Sequence, residues 1–124
     1  MAKLAHADDR GRAAMVDVGE KAATRRRATA EGVVRLGPEA YRLLRENRLA
    51  KGDALAVARL AGIQAAKRTA DWIPLCHPVP LDHVEIEIDL PEAGATATVR
   101  ATASARWATG VEMEALTAVT AACL

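Results

Sequence analysis

Apolar and polar positions alternate in three stretches of the chain. Between residues 26 and 36, Ala28, Ala30, Gly32, Val34 and Leu36 take the even positions and mostly polar residues the odd ones, the period of a half-buried strand. Val84, Ile86, Ile88 and Leu90 alternate with His83, Glu85, Glu87 and Asp89, and the turn sequence PEAG leads into ATATVRATASARW. That return strand puts Ala97, Val99, Ala101, Ala103, Ala105 and Trp107 on one face and Thr98, Arg100, Thr102, Ser104 and Arg106 on the other, so a hairpin is predicted.

Helical patterns fill the intervals. Gly37 breaks the first strand, and Pro38 suits the first position of a helix through PEAYRLLREN. Asp53 is placed to cap a second helix, ALAVARLAGIQAAKR, whose Ala54, Ala58, Ala61, Gly62, Ala65 and Ala66 allow close backbone approach. Thr109 or Gly110 is expected to open a last helix, VEMEALTAVTAACL. The order strand, helix pair, strand, strand, helix implies an α+β sandwich, an antiparallel sheet with helices on one face. Residues 1–14 carry no period and are expected to form a flexible tail; residues 15–124 make one domain.

Composition narrows the class. With 124 residues, 51% of them apolar, the chain supports one hydrophobic core. It has no apolar run long enough to span a bilayer, and its first residues lack the hydrophobic centre of a signal peptide, so a cytoplasmic location is expected. Two cysteines, 76 and 123, form neither a disulfide framework nor a zinc ribbon. The net charge of +1 hides an asymmetry: residues 24–68 carry eleven Lys or Arg against four acids, giving +7, and residues 71–124 carry two against eight, giving −6. Such a division favours an anionic ligand on one face, or subunits that pair opposite faces.

Candidate chemistry sits in three places. DWIPLCHPVP, residues 71–80, sets Cys76 beside His77 inside a frame of three prolines. Zinc normally takes four ligands, and no spaced Cys/His set supplies the others. As neighbours in an extended loop, the two side chains are expected to point apart, against a nucleophile–base pair. A loop stiffened to hold the imidazole in one pose, and a core plug of Ile73, Leu75 and Cys76 with His77 on its rim, are equal readings at this point. Glu112 and Glu114 open the last helix, where carboxylates are favoured whatever the function. Two apart, they are expected to face different ways, so that at most one joins a given site. The basic group is Arg25-Arg26-Arg27, Lys51 before the second helix, and Lys67-Arg68 at its end. Lys51 in a loop feeding a helix N-terminus is a reasonable phosphate binder. With Tyr41, Trp72 and Trp107 as the aromatic residues, a nucleic-acid stacking platform is missing and nucleic acid is not an expected partner.

Three segments carry a resemblance. MVDVGEKAATRR (15–26), KGDALAVARLAGIQAAKRTADWIPLCHP (51–78) and TGVEMEALTA (109–118) closely resemble the cyclic pyranopterin monophosphate synthase family, the MoaC-type enzymes of molybdenum cofactor biosynthesis. The resemblance implies a lyase that converts 3′,8-cyclo-7,8-dihydro-GTP to cyclic pyranopterin monophosphate with release of pyrophosphate, without metal or redox cofactor. It further implies a ferredoxin-like fold and a homohexamer, a trimer of dimers with interfacial active sites. Matched by position, Lys51, Lys67, His77 and Glu112 are the implied catalytic residues. Arg26, Leu75, Cys76, His77, Met113 and Glu114 are the implied substrate contacts, Arg26 toward the triphosphate. The family continues its last helix into an Asp-Met-x-Lys motif and a closing strand that this sequence does not contain, so a C-terminally shortened chain is expected. A non-catalytic nucleotide-binding or assembly form is the alternative.

Overall fold

The middle strand of the sheet is the last of the three in sequence. In the computed structural model, which describes residues 5–49 and 52–124, β3 (Thr96–Trp107) lies between β1 (Thr24–Arg35) and β2 (His83–Asp89) and is antiparallel to both. Register is continuous: Thr24 pairs with Trp107 and Arg35 with Thr96 on one side, His83 with Ser104 and Asp89 with Thr98 on the other. β1 and β2 therefore run parallel to each other without touching. Their connection passes over β3 through α1 (Gly37–Arg45), α2 (Ala54–Lys67) and α3 (Thr69–Trp72), and α4 (Glu112–Cys123) follows the sheet.

Alternation sorts the two faces as the sequence implies. Ala97, Val99, Ala101, Ala103 and Ala105 of β3 are all buried, with Ile86 of β2 beside them. The opposite face is polar: Thr29 and Thr102 hydroxyls lie 2.9 Å apart, and Arg100 reaches Glu31 at 3.4 Å and Glu87 at 3.6 Å. These exposed pairs add little stability and keep the face solvated. Trp107 shares the parity of the buried alanines, yet it is 39% exposed.

The helix layer rests on small residues. Ala66, Ile86, Val99, Ala101, Ala118, Val119 and Ala122 form the main cluster, and Ala103, Ala105, Val111 and Ala115 a second one toward the start of α4. A Cβ on Gly62 would lie 3.0 Å from the Ala118 carbonyl oxygen and 3.3 Å from Ala122 Cβ, so α2 and α4 meet backbone to backbone. The Asp53 carboxylate accepts from Ala56 N–H at 3.1 Å and caps α2 as expected. At the far end of the sheet Tyr41 of α1 donates to the Leu90 carbonyl at 3.1 Å and fastens α1 to the β2–β3 turn. Among the described residues, no helix is long and apolar enough to cross a membrane.

The polar N-terminal stretch contains a feature that periodicity could not show. Residues 5–14 close into a small hairpin with an Ala7–Ala13 bridge, ordered by the Asp8 carboxylate, which accepts from Arg10 and Arg12 N–H at 2.9 Å each and from Arg12 Nε at 2.8 Å.

Candidate active site

The site is built where α2 ends and α4 begins. Thr69 stops α2: buried to 2% exposure, its hydroxyl donates to the Ala66 carbonyl at 2.9 Å, and α3 turns the chain away. The first two residues of DWIPLCHPVP thus belong to a short helix and not to a loop. After α3, Cys76 N–H donates to the Ile73 carbonyl at 3.1 Å. Cys76 and His77 follow this turn, and both border one cavity of about 270 Å³.

The other wall is the start of α4. Val111, 1% exposed, holds the N-cap position without a side-chain cap, in place of the expected Thr109 or Gly110. The Thr109 hydroxyl is directed at the Gly110 carbonyl at 3.2 Å and does not reach the helix amides. A Cβ on Gly110 would collide with the Glu112 carboxylate, so that carboxylate folds back over the glycine while Glu114, 4% exposed, turns into the protein. Both border the same cavity, against the expectation that only one would, and Met113 joins them.

Burial sets the proton affinities. It raises the Glu114 carboxyl above its ordinary range, and the Glu112 charge raises it further. Burial, then the Glu114 charge, pushes the Cys76 thiol up. A carboxyl of raised proton affinity, bordering the same cavity as an imidazole, can give or take protons on a bound ligand. Cys76, kept as a thiol, is a lining residue and a poor nucleophile.

Leu75, Cys76, His77, Glu112, Met113 and Glu114 therefore come together around one cavity. Lys67 borders an adjoining cavity of about 380 Å³ with Thr69, Asp71 and Pro78, and Glu114 is shared between the two. Arg26 lines neither. It is half-buried on the inner side of β1, its Nη2 donates to the Ala108 carbonyl at 3.5 Å, and its buried Nε has no partner among the described residues. Lys51 lies outside the described residues. Among the described residues, no group of three or more His, Cys, Asp or Glu is arranged to hold a metal ion. The sequence reading missed His6, Val16, Val18 and Lys21, which close the cavity from the N-terminal side. The alternation of Val16 and Val18 was the available signal.

The profile of the MoaC family matches residues 15–124. The chain belongs to the MoaC family. It is 56% identical, over 100% of its own length and 75% of the relative's, to a protein of Thermomicrobium roseum named cyclic pyranopterin monophosphate synthase. A protein of the same name from Parvibaculum lavamentivorans is 53% identical over 98% of the chain and 76% of its own length. Molybdenum cofactor biosynthesis protein 1 of Bos taurus is 56% identical over 98% of the chain, which spans 19% of that longer protein. Membership of the MoaC family thus rests on nearly the whole sequence, and the residues around the 270 Å³ cavity all lie within the matched span except Ala5 and His6.

Proposed function

We propose that the protein is a cyclic pyranopterin monophosphate synthase, a lyase of molybdenum cofactor biosynthesis. In this reading it rearranges 3′,8-cyclo-7,8-dihydro-GTP to cyclic pyranopterin monophosphate and releases pyrophosphate. The observation that carries the reading is convergence: two matched segments far apart in sequence, 75–77 and 109–114, line one cavity. His77, the Glu112–Glu114 pair and Lys67 at the adjoining opening move protons as the purine ring opens and the pterin closes, with Lys51 as a further acid–base group. Arg26 and the lysines offset the charge of the triphosphate and of the leaving pyrophosphate.

The βαββα order with β3 central supports a ferredoxin-like arrangement. Assembly as a homohexamer, a trimer of dimers with sites at subunit interfaces, is supported by Val57 and Leu60 on α2 and Leu116 on α4, exposed to 62%, 66% and 48%. A cytoplasmic location goes with a nucleotide-derived substrate.

Anaerobic incubation with 3′,8-cyclo-7,8-dihydro-GTP tests the activity. One pyrophosphate should appear per pterin formed, and Lys51→Ala and His77→Ala should each reduce the rate. Substrate binding without product would favour the non-catalytic nucleotide-binding form, and neither binding nor product would refute the reading.

A further inference from the structure

The hairpin at 5–14 is bonded within itself and stands over the 270 Å³ cavity without a buried residue of its own. Ala14 N–H donates to the His6 carbonyl at 2.9 Å, Asp8 N–H to the Arg12 carbonyl at 2.8 Å, and Gly11 N–H to the Asp8 carbonyl at 3.0 Å. The Asp8 carboxylate adds its bonds to Arg10 and Arg12. Among the described residues, all of these bonds close inside the hairpin. A segment with its own hydrogen bonds and few buried contacts moves as one body at low free energy.

Beneath the hairpin lies a gap. About 540 Å³ in volume, it is lined by His6 and Ala13 on the hairpin side and by Pro74, Leu75, Cys76 and Met113 on the other. Pro74 is exposed and Met113 is 37% exposed, so the floor keeps apolar surface that a packed interior would cover. His6, Leu75, Cys76 and Met113 border this gap and the 270 Å³ cavity alike. A hairpin pressed into the gap therefore crosses the mouth of the cavity as well. Beyond the hairpin the chain is fastened. Val16 and Val18 are half-buried along the cavity, Asp17 accepts from Gly19 N–H at 2.9 Å, and Lys21 N–H donates to the Val18 carbonyl at 3.0 Å. Met15, 49% exposed, links the two parts. A stiff unit, a fastened base and an exposed residue between them have the make-up of a hinge.

We propose that the hairpin at 5–14 is a hinged lid, which swings about Ala14 and Met15 onto Pro74, Leu75 and Met113 and shuts the 270 Å³ cavity from solvent. Closure keeps water from His77, Glu112 and Glu114 while protons move. The ligand enclosed rests on the function proposed above; the hinge itself does not.

A reversible lock tests the lid in the full chain. In His6→Cys, mild oxidation should join the introduced thiol to Cys76, and peptide mass spectrometry without reductant identifies the pair. His77 borders the cavity, so the rate at which diethyl pyrocarbonate modifies it reports solvent access. That rate should fall about tenfold or more in the locked protein and return on reduction, because modification follows the open population. Failure of the disulfide to form overturns the assignment. So do equal His77 rates in locked and reduced protein, the result a fixed wall would give. Turnover of 3′,8-cyclo-7,8-dihydro-GTP should likewise be lost on locking and restored on reduction, and turnover undiminished by the lock overturns the lid. A parent protein that makes no product, while its locked variant shields His77, removes the proposed reaction and leaves this inference standing. Because His6 is exposed, the reduced variant should melt with the parent protein.

Discussion

Gly32 sits on the inner face of β1, directly under the second half of α4. A Cβ there would lie 2.7 Å from Val119 Cγ1 and 3.2 Å from Cys123 Sγ, whereas carbon atoms in comfortable contact are about 3.5–4.0 Å apart. Val119 is 6% exposed and cannot swing into solvent. Gly32→Ala gains about 0.5–1 kcal/mol from the stiffer unfolded chain, against an overpacking cost of about 1–3 kcal/mol. A net loss of roughly 1 kcal/mol is expected. Val119→Ala removes two buried methyls and should cost about 1–3 kcal/mol. In the double variant the new strand methyl enters the space left by the valine, so the loss should fall short of the sum by about 1 kcal/mol or more. Urea unfolding followed by far-UV circular dichroism, at one fixed protein concentration, measures all four corners of the cycle. Additivity within about 0.5 kcal/mol would refute the idea that α4, and with it the Glu112–Glu114 wall, is seated on Gly32.

Three further outcomes follow from the same geometry. Burial and then the Glu112 charge raise the Glu114 carboxyl above its ordinary 4.5, so the native state holds that proton more tightly than the unfolded chain. The associated stability is complete below the unfolded value and is lost as pH rises through the folded one. The stability of the parent relative to Glu114→Gln should therefore decline above about pH 4.5, by at most about 1.4 kcal/mol per pH unit; a pH-independent difference contradicts the assignment. Since burial and the Glu114 charge push the Cys76 thiol up, iodoacetamide should label Cys76 several-fold more slowly than a free cysteine peptide near neutral pH. Glu114→Gln should speed that labelling, and unchanged rates by peptide mass spectrometry count against it. Leu60, 66% exposed on α2, should tolerate glutamate in the folded protomer, yet Leu60→Glu should lower the mass seen by light scattering if α2 lies in a subunit interface. An unchanged assembly mass rejects that surface as the contact.

The strands were legible because a sheet with one wet face writes its period directly into the sequence: Ala97 to Ala105 could hardly lie otherwise. The position of β3 between the other two was not, since alternation marks faces and says nothing of neighbours. Trp107 shows that parity alone does not fix burial, since it shares the alanines' face and is 39% exposed. Neighbouring Cys76 and His77 both border the cavity, which residue order alone does not announce. Glu112 and Glu114 converge because one carboxylate folds back over Gly110. The N-terminal wall was the least legible part, since its order comes from side chain to backbone bonds at Asp8 and from turns at Asp17 and Val18, which leave no hydrophobic period.

Placing the last strand in the middle also fixes a timetable for synthesis. Thr24 meets its partner only when Trp107 has been made, 83 residues later (107 minus 24), and ribosomes add about 5–20 residues per second. β1 therefore waits about 4–17 s with both edges bare, and loop closure over that distance slows pairing further. Arg25, Arg26 and Arg27 at its leading end act as a charged guard through that interval, repelling like strands on neighbouring nascent chains. Replacing them for reasons of ligand binding alone would also remove a protection against aggregation during synthesis.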